Sequence, residues 1–343
     1  MLRFNYNMDT IMRIKVLLNT VFAVAVMLAA GKPAVGQIKP SGAADTSFSV
    51  MGSYRSEIRH HPDIRMADPT MPASVNASRN IPYRQNRSGR NLLLDIYQRK
   101  QRLPKPVPAI LMVHGGGWRS GDRTHNTTLA QRLAEKGFIT ITADYSLSTE
   151  DLFPAAVYDL KAAIRWIRAH AGEYNIDTSR IAVLGFSAGG ELAAFIGATN
   201  GNKKFEGSGE HMAYSSAVQA VIDIDGILAF IHPESGEGDE SKSISAATYW
   251  FGYPKSERAE LWNDGSPITH VSSKSPPYLF INSSVSRMHA GREDFIKKLN
   301  GFNIYSEVKT FSDAPHTFMF FDPWFNPTLK SIDDFMSRIF PAK

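Results

Sequence analysis

The sequence predicts an α/β protein built on a doubly wound, mostly parallel sheet with helices on both faces. Apolar runs of strand length alternate with segments of helical periodicity, an order typical of parallel strands joined by helices. The run 109–113 is apolar at every position, as in strands buried on both faces. A glycine-bounded turn near residue 187 joins a strand to an alanine-rich helix. The predicted strands are 92–97, 109–113, 138–143, 181–184, 218–224, 276–282 and 304–310, and the predicted helices are 127–136, 155–171, 191–198 and 292–299.

The composition is that of a globular protein large enough for one α/β domain. The chain has 343 residues, of which 43% are hydrophobic and 21% charged, and its net charge is +5. Residues 1–36 carry four basic residues and one acid, which leaves only +2 on the rest of the chain. No dense run of Lys and Arg occurs, so the sequence gives no support to nucleic-acid binding.

The first 36 residues are predicted to be a secretory signal peptide. Arg13 and Lys15 precede an apolar run over 16–30, and small residues at 34–36 suit cleavage. Because the run is short for a membrane span, we expect no membrane association after cleavage and a periplasmic or secreted location. The chain has no cysteine, which excludes a disulfide and a cysteine-linked lipid anchor. The predicted segments are a signal peptide over 1–36, an N-terminal arm over 37–78 and the α/β domain over 79–343.

The turn near residue 187 has the sequence Gly185-Phe186-Ser187-Ala188-Gly189. The turn forces Ser187 into a strained backbone conformation at a helix N-terminus. Small residues on both sides make this tolerable, because they allow the following helix to pass close to the strand. There the Ala188 amide and the helix dipole face any negative charge that develops. Ser187 is therefore the candidate nucleophile; an ordinary glycine-rich turn is the structural alternative.

A second glycine-rich segment, His114-Gly115-Gly116-Gly117-Trp118, directly follows strand 109–113. Its glycines expose consecutive backbone amides, so we assign Gly116 and Gly117, together with Ala188, to an oxyanion hole. Loss of one such donor typically costs about 2.7–4 kcal/mol of barrier. A flexible loop is the alternative. His316 follows the last predicted strand, after the serine in chain order, and is the candidate general base.

The order of HGGGW, DYSLS, FPAAVYDLKAAIRWI, GFSAGG and a late PHTF resembles the α/β-hydrolase superfamily over roughly residues 80–340. More narrowly, it resembles secreted bacterial esterases related to feruloyl, acetyl-xylan and pectin esterases. The resemblance implies a serine carboxylic ester hydrolase with no metal and no organic cofactor. That family usually carries its acid after the penultimate strand, but here a serine occupies that place in the run 282–286. Asp225, after strand 218–224, is the first candidate for the acid, and Asp294 is the second.

The segment 286–292 stands where the acid loop would face the substrate, and it is rich in basic residues. An arginine side chain can bind a carboxylate bidentately, as a fork, which suits the uronic acids of pectin. The equal alternative is that these arginines form ion pairs within the fold. The expected substrate-binding residues are Trp118, Arg287, His289 and Arg292.

We therefore expect a catalytic domain that removes ester groups from plant cell-wall polysaccharide. The expected partner is this substrate, an esterified polysaccharide or oligosaccharide. Pectin methyl ester is favoured, and acetyl or feruloyl esters of xylan or pectin come next. A serine peptidase of the same fold and a non-catalytic glycan-binding protein are the alternatives from other classes. Fold analogy does not name the ester.

Overall fold

Two sheets are present in a computed structural model that describes residues 36–241 and 243–341. The strands are β1 (Arg65–Met66), β2 (Val75–Gln85), β3 (Asn91–Arg99), β4 (Val107–Val113), β5 (Ile139–Ala143), β6 (Ile176–Phe186), β7 (Ala220–Ile224), β8 (Tyr278–Asn282), β9 (Ser306–Thr310) and β10 (Phe321–Asp322).

The large sheet has eight strands in the order β2-β3-β5-β4-β6-β7-β8-β9. β3 runs antiparallel to both β2 and β5, and every other neighbouring pair in this sheet is parallel. β1 and β10 form a small antiparallel sheet of their own. Since the carboxyl ends of the parallel strands share one edge, side chains that follow these strands meet there.

Helices cover both faces of the large sheet. They are α1 (Val50–Glu57), α2 (Thr127–Glu135), α3 (Ala155–Ala169), α4 (Ala171–Tyr174), α5 (Ala188–Ala198), α6 (Ala246–Phe251), α7 (Ala259–Asp264), α8 (Arg292–Gly301) and α9 (Phe325–Ile339). Buried side chains of α3, α5 and α8 share one hydrophobic cluster with Leu111 and Val113 of β4. Those of α2 and α9 share the other with Ile110 and Met112. Alternate residues of β4 thus pack into two different hydrophobic clusters, which explains the continuous apolar sequence of this strand.

This architecture confirms the predicted doubly wound, mostly parallel sheet. The predicted strand 181–184 is the buried end of the longer β6, and the predicted strand 218–224 begins at Ala220. β2 was not predicted, because it is an edge strand whose mostly exposed and half-exposed residues lack an apolar pattern.

The residues that precede the large sheet are not structureless. By its contacts, the chain from Ile38 onward forms one unit. α1 and β1 belong to this unit, within the segment expected to be an arm. The predicted signal peptide lies outside the described residues except for its last one. No helix in the described part of the chain is long and apolar enough to cross a membrane.

Candidate active site

Ser187 sits in a sharp turn between β6 and α5. Its backbone has φ 57° and ψ −123°, a conformation that costs on the order of 1–3 kcal/mol for a non-glycine residue. A Cβ on Gly185 would lie 1.8 Å from the carbonyl oxygen of Gly189, so only glycine allows the helix to pass this close. The Ser187 amide donates to the carbonyl of Ile224 at 2.8 Å, which ties the turn to the end of β7.

His316 lies in the loop that follows β9, where its side chain reaches back to the serine. Its Nε2 is 2.9 Å from Oγ of Ser187, a hydrogen-bond distance. The ring of Phe186 stacks on the imidazole, with 4.9 Å between ring centroids. The imidazole is about one-quarter exposed at 24%, so one edge faces the site and the rest is packed. The structure therefore brings together the two residues expected to act as nucleophile and base.

Asp225 is the carboxylate that holds this histidine. Its Oδ2 is 2.9 Å from Nδ1 of His316, and its side chain is fully buried. Asp225 has φ 52°, a left-handed conformation stabilised by a hydrogen bond from its amide to the carbonyl of Ile281. The second candidate for this position does not reach the site: Asp294 is 60% exposed and pairs with His232 at 3.4 Å.

The position of Asp225 explains how a serine can stand where the resemblance expects the acid. β7 and β8 are neighbours in the sheet, so a carboxylate after either strand arrives at the same edge. The amide of Ser283 donates to Oδ1 of Asp225 at 2.8 Å, and the side-chain amide of Asn282 approaches the same oxygen at 3.5 Å. The end of β8 therefore supplies hydrogen-bond donors to the acid instead of supplying the acid itself.

The glycine loop, residues 114–121, follows β4 and lies beside the serine. Gly117 and Ala188 line the same cavity as Ser187 and His316. Gly116 has φ 120°, and a Cβ there would lie 2.2 Å from the carbonyl of Ser120, so the loop folds tightly back on itself. Two of the three residues expected to supply oxyanion donors therefore line the cavity; Gly116 is not among its lining residues.

The cavity beside Ser187 has a volume of about 170 Å³. Two of the four expected substrate residues, Trp118 and Arg287, line it, whereas His289 and Arg292 do not. Nη1 of Arg292 donates to Asn282 at 2.7 Å, and its other nitrogens bind Glu293. Arg292 is therefore paired within the fold, as the structural alternative for these arginines predicts. The other lining residues were not named individually as substrate residues; they are Ile227, Glu237, Ala246 and Met288.

A family model named BD-FAE matches residues 94–288, more than half of the chain. The chain belongs to the BD-FAE family. This confirms the expected resemblance to α/β-hydrolase esterases, although the match ends before His316.

Esterase LipC of Mycobacterium tuberculosis is 30% identical to this BD-FAE protein over 194 residues, 56% of the chain and 47% of LipC. The chain thus spans about half the length of the curated relatives it matches. Esterase 2 of Thermogutta terrifontis with bound butyrate has a TM-score of 0.63 and 25% identity, covering 79% of this chain and 98% of its own. A bifunctional GH43-CE of Bacteroides eggerthii has a TM-score of 0.64 and 26% identity, covering 77% and 35%. These neighbours confirm the α/β-hydrolase fold.

A buried carboxyl group, not predicted from the sequence, lies beneath this BD-FAE site. Glu191, in the first turn of α5, is fully buried, and its Oε2 accepts a hydrogen bond from Nε1 of Trp118 at 2.9 Å. Burial, with nearby Asp223, raises the pKa of Glu191 well above its ordinary value. The neutral acid is therefore favoured. The signal was present in the sequence, because Glu191 is the one acid in the apolar segment 188–198.

The segment before α1 also contacts the glycine loop. Asp45 forms a β-bridge with Ser120 and an ion pair with Arg119. The guanidinium of Arg119 lies 3.9 Å from the ring centre of Tyr249 in α6. The glycine loop is thus held between the N-terminal segment and a helix that contributes to the cavity wall. Among the residues that the structure describes, no group of three His, Asp or Glu side chains is placed to bind a metal ion.

Proposed function

We propose that this BD-FAE protein is a serine carboxylesterase that removes short acyl groups from a carbohydrate. The observation that carries the proposal is the continuous series from Ser187 through His316 to Asp225, with 2.9 Å at each step. It opens on a cavity that the Ala188 and Gly117 backbone also reaches. Membership in the family and similarity to proteins named as esterases support the same chemistry.

The proposed reaction follows from this geometry. Oγ of Ser187 attacks the ester carbonyl carbon while Nε2 of His316 takes its proton. The tetrahedral oxyanion faces the amides of Gly117 and Ala188, and the leaving alcohol receives the proton from His316. Water then attacks the acyl-enzyme by the reverse sequence and releases the acid. Asp225, through its contact with Nδ1 of His316, fixes the imidazole tautomer and stabilises the imidazolium.

The wall of the cavity supports a short acyl group. Trp118, Ile227, Ala246 and Met288 present mainly apolar surface next to Ser187, and the volume of about 170 Å³ is small compared with drug-sized ligand pockets, which are roughly 300 Å³ or more. An acetyl group fits such a space, with the sugar as the leaving alcohol. The resemblance to acetyl-xylan esterases points to the same class of ester.

Pectin methyl ester, favoured by the sequence, is the second candidate. One observation favours it: the Arg287 guanidinium, 55% exposed, lines the cavity, so a uronate carboxylate could bind there. Arg292, the other arginine expected to bind substrate, is engaged elsewhere, which weakens this candidate. The periplasmic or secreted location stays a proposal and rests on the predicted signal peptide.

The test is to incubate the protein with acetylated xylan, methylated pectin and a feruloylated glycan, and to measure acetate, methanol and ferulate separately. We expect acetate release that Ser187→Ala abolishes and that Ser331→Ala, a serine change on α9, leaves intact. Methanol without acetate would favour the second candidate. Absence of a p-nitrophenol burst from an activated ester would instead support a non-catalytic glycan-binding protein, and cleavage of peptides alone would support a peptidase.

A further inference from the structure

Two charged side chains line the cavity beside Ser187 and His316, and the reaction described above uses neither of them. They are Glu237 and Arg287. Oε1 of Glu237 lies 3.9 Å from Nη1 of Arg287, which is close enough for an ion pair and too long for a hydrogen bond. Each group therefore retains hydrogen-bonding capacity that it can offer to a molecule in the cavity.

The carboxylate of Glu237 is held in place by its surroundings. The side chain is only 13% exposed, and its Oε2 accepts a hydrogen bond from the amide of Ala247 at 3.2 Å. Its backbone is fixed as well, because the Glu237 carbonyl accepts from Nζ of Lys255 at 2.9 Å. One carboxylate oxygen is thus anchored, and the other faces Arg287. A carboxylate fixed in this way is a preorganised acceptor at the cavity wall.

We propose that Glu237 and Arg287 form a subsite for two neighbouring hydroxyl groups of an uncharged sugar residue. One hydroxyl donates to Oε1 of Glu237, and its neighbour accepts from the guanidinium of Arg287. Neighbouring hydroxyl oxygens on a sugar ring lie about one hydrogen-bond length apart. This spacing allows them to contact the Glu237 carboxylate and the Arg287 guanidinium, which lie side by side. The inference rests on the proposed esterase function and names the substrate class of the same site.

The charge of the pair selects against the acidic alternative. A uronate that approached Arg287 would bring its carboxylate next to that of Glu237, and like charges at this range repel. A neutral sugar brings no charge, so the ion pair between Glu237 and Arg287 is retained when it binds. The subsite therefore favours esters of neutral sugars over pectin, because Glu237 already neutralises the arginine on which a uronate would depend.

The test compares three substrates: an acetylated xylo-oligosaccharide, a partially methyl-esterified oligogalacturonate that keeps free carboxylates, and p-nitrophenyl acetate, which has no sugar. Glu237→Gln and Arg287→Met should each raise KM for the acetylated sugar by about ten-fold or more relative to any change for p-nitrophenyl acetate. Glu237→Gln should also raise kcat/KM for the oligogalacturonate relative to the acetylated sugar, because it frees Arg287. Arg258→Met and Glu260→Gln alter an exposed ion pair of the same residue types and serve as matched controls.

Equal losses on the sugar ester and on p-nitrophenyl acetate would overturn the subsite, because they would indicate that the pair only supports the cavity wall. A wild-type preference for the oligogalacturonate that Arg287→Met removes would overturn it in favour of a uronate site. Failure of the proposed function itself looks different, since the unaltered protein would then hydrolyse none of the three esters.

Discussion

Nε1 of Trp118 lies 2.9 Å from Oε2 of Glu191, and this hydrogen bond joins the glycine loop to the first turn of α5. The two elements carry different donors of the proposed oxyanion hole, Gly117 on the loop and Ala188 on the helix. Trp118 itself has φ 57°, a conformation that its neighbours must hold in place. We therefore expect Glu191 to act as a positioning residue that holds the two proposed donors relative to each other.

Glu191→Leu should lower kcat by about 10- to 100-fold and change KM little, because misplaced donors weaken stabilisation of the transition state more than binding of the ester. Glu191→Gln should stay within about three-fold of the unaltered protein, since its carbonyl oxygen can still accept from Trp118. Steady-state kinetics on p-nitrophenyl acetate would measure both. Equal losses in the two variants would show that the hydrogen bond is not what matters.

Asp225→Asn should lower kcat on the order of 10³- to 10⁴-fold, because an amide no longer favours the His316 tautomer that accepts the serine proton. Asp294→Asn is the matched control, since that carboxylate is exposed and pairs with His232. Its turnover should be unchanged. If the two variants behaved alike, Asp225 would not be the acid of the site.

Gly185→Ala should destabilise the protein by about 3 kcal/mol, because the added methyl group would overlap the carbonyl of Gly189 at 1.8 Å and force the backbone apart. Gly172→Ala is the control: a Cβ there meets nothing within 4 Å, and alanine in a helix gains roughly 0.5–1 kcal/mol. Urea unfolding would measure both changes. Similar free energies of unfolding for the two variants would contradict the close passage of β6 and α5.

Burial lowers the pKa of His114 from 6.5 to about 3. Below pH 6.5 the unfolded chain therefore binds a proton at this residue that the folded protein does not bind until about pH 3. Stability should fall with decreasing pH through this window, by about 1.4 kcal/mol per pH unit at most. In His114→Gln the free energy of unfolding should depend less steeply on pH between 6.5 and 4. Parallel curves for the two proteins would refute a buried neutral imidazole at this position.

Local sequence was sufficient to predict a turn or loop where the backbone conformation admits only one residue type. The turn around Ser187 and the glycine loop were predicted because their glycines are required by contacts within a few residues. His316 was predicted from its place after the last strand. The strands with continuous apolar sequence were also predicted, since burial on both faces leaves a clear pattern.

Pairings between distant segments were harder to predict. Asp225 was named only as the first of two candidates. The reason is that the sequences of β7 and β8 do not predict that these strands are neighbours in the sheet. The approach of Glu237 to Arg287 depends on how the long segment before α6 folds over the cavity. Arg292, expected to bind substrate, does not line the cavity for a related reason: its guanidinium donates to Asn282, the last residue of β8.

The match to the BD-FAE family ends at residue 288 and begins at residue 94, whereas His316 and Asp45 lie outside these limits. A gene fragment cut to the matched region would encode Ser187 and Asp225 but neither His316 nor the strands and helices outside it, so we expect such a fragment to have no esterase activity. Boundaries for expression, or for searches of related genomes, should therefore include His316 toward one end and Asp45, which contacts the glycine loop, toward the other.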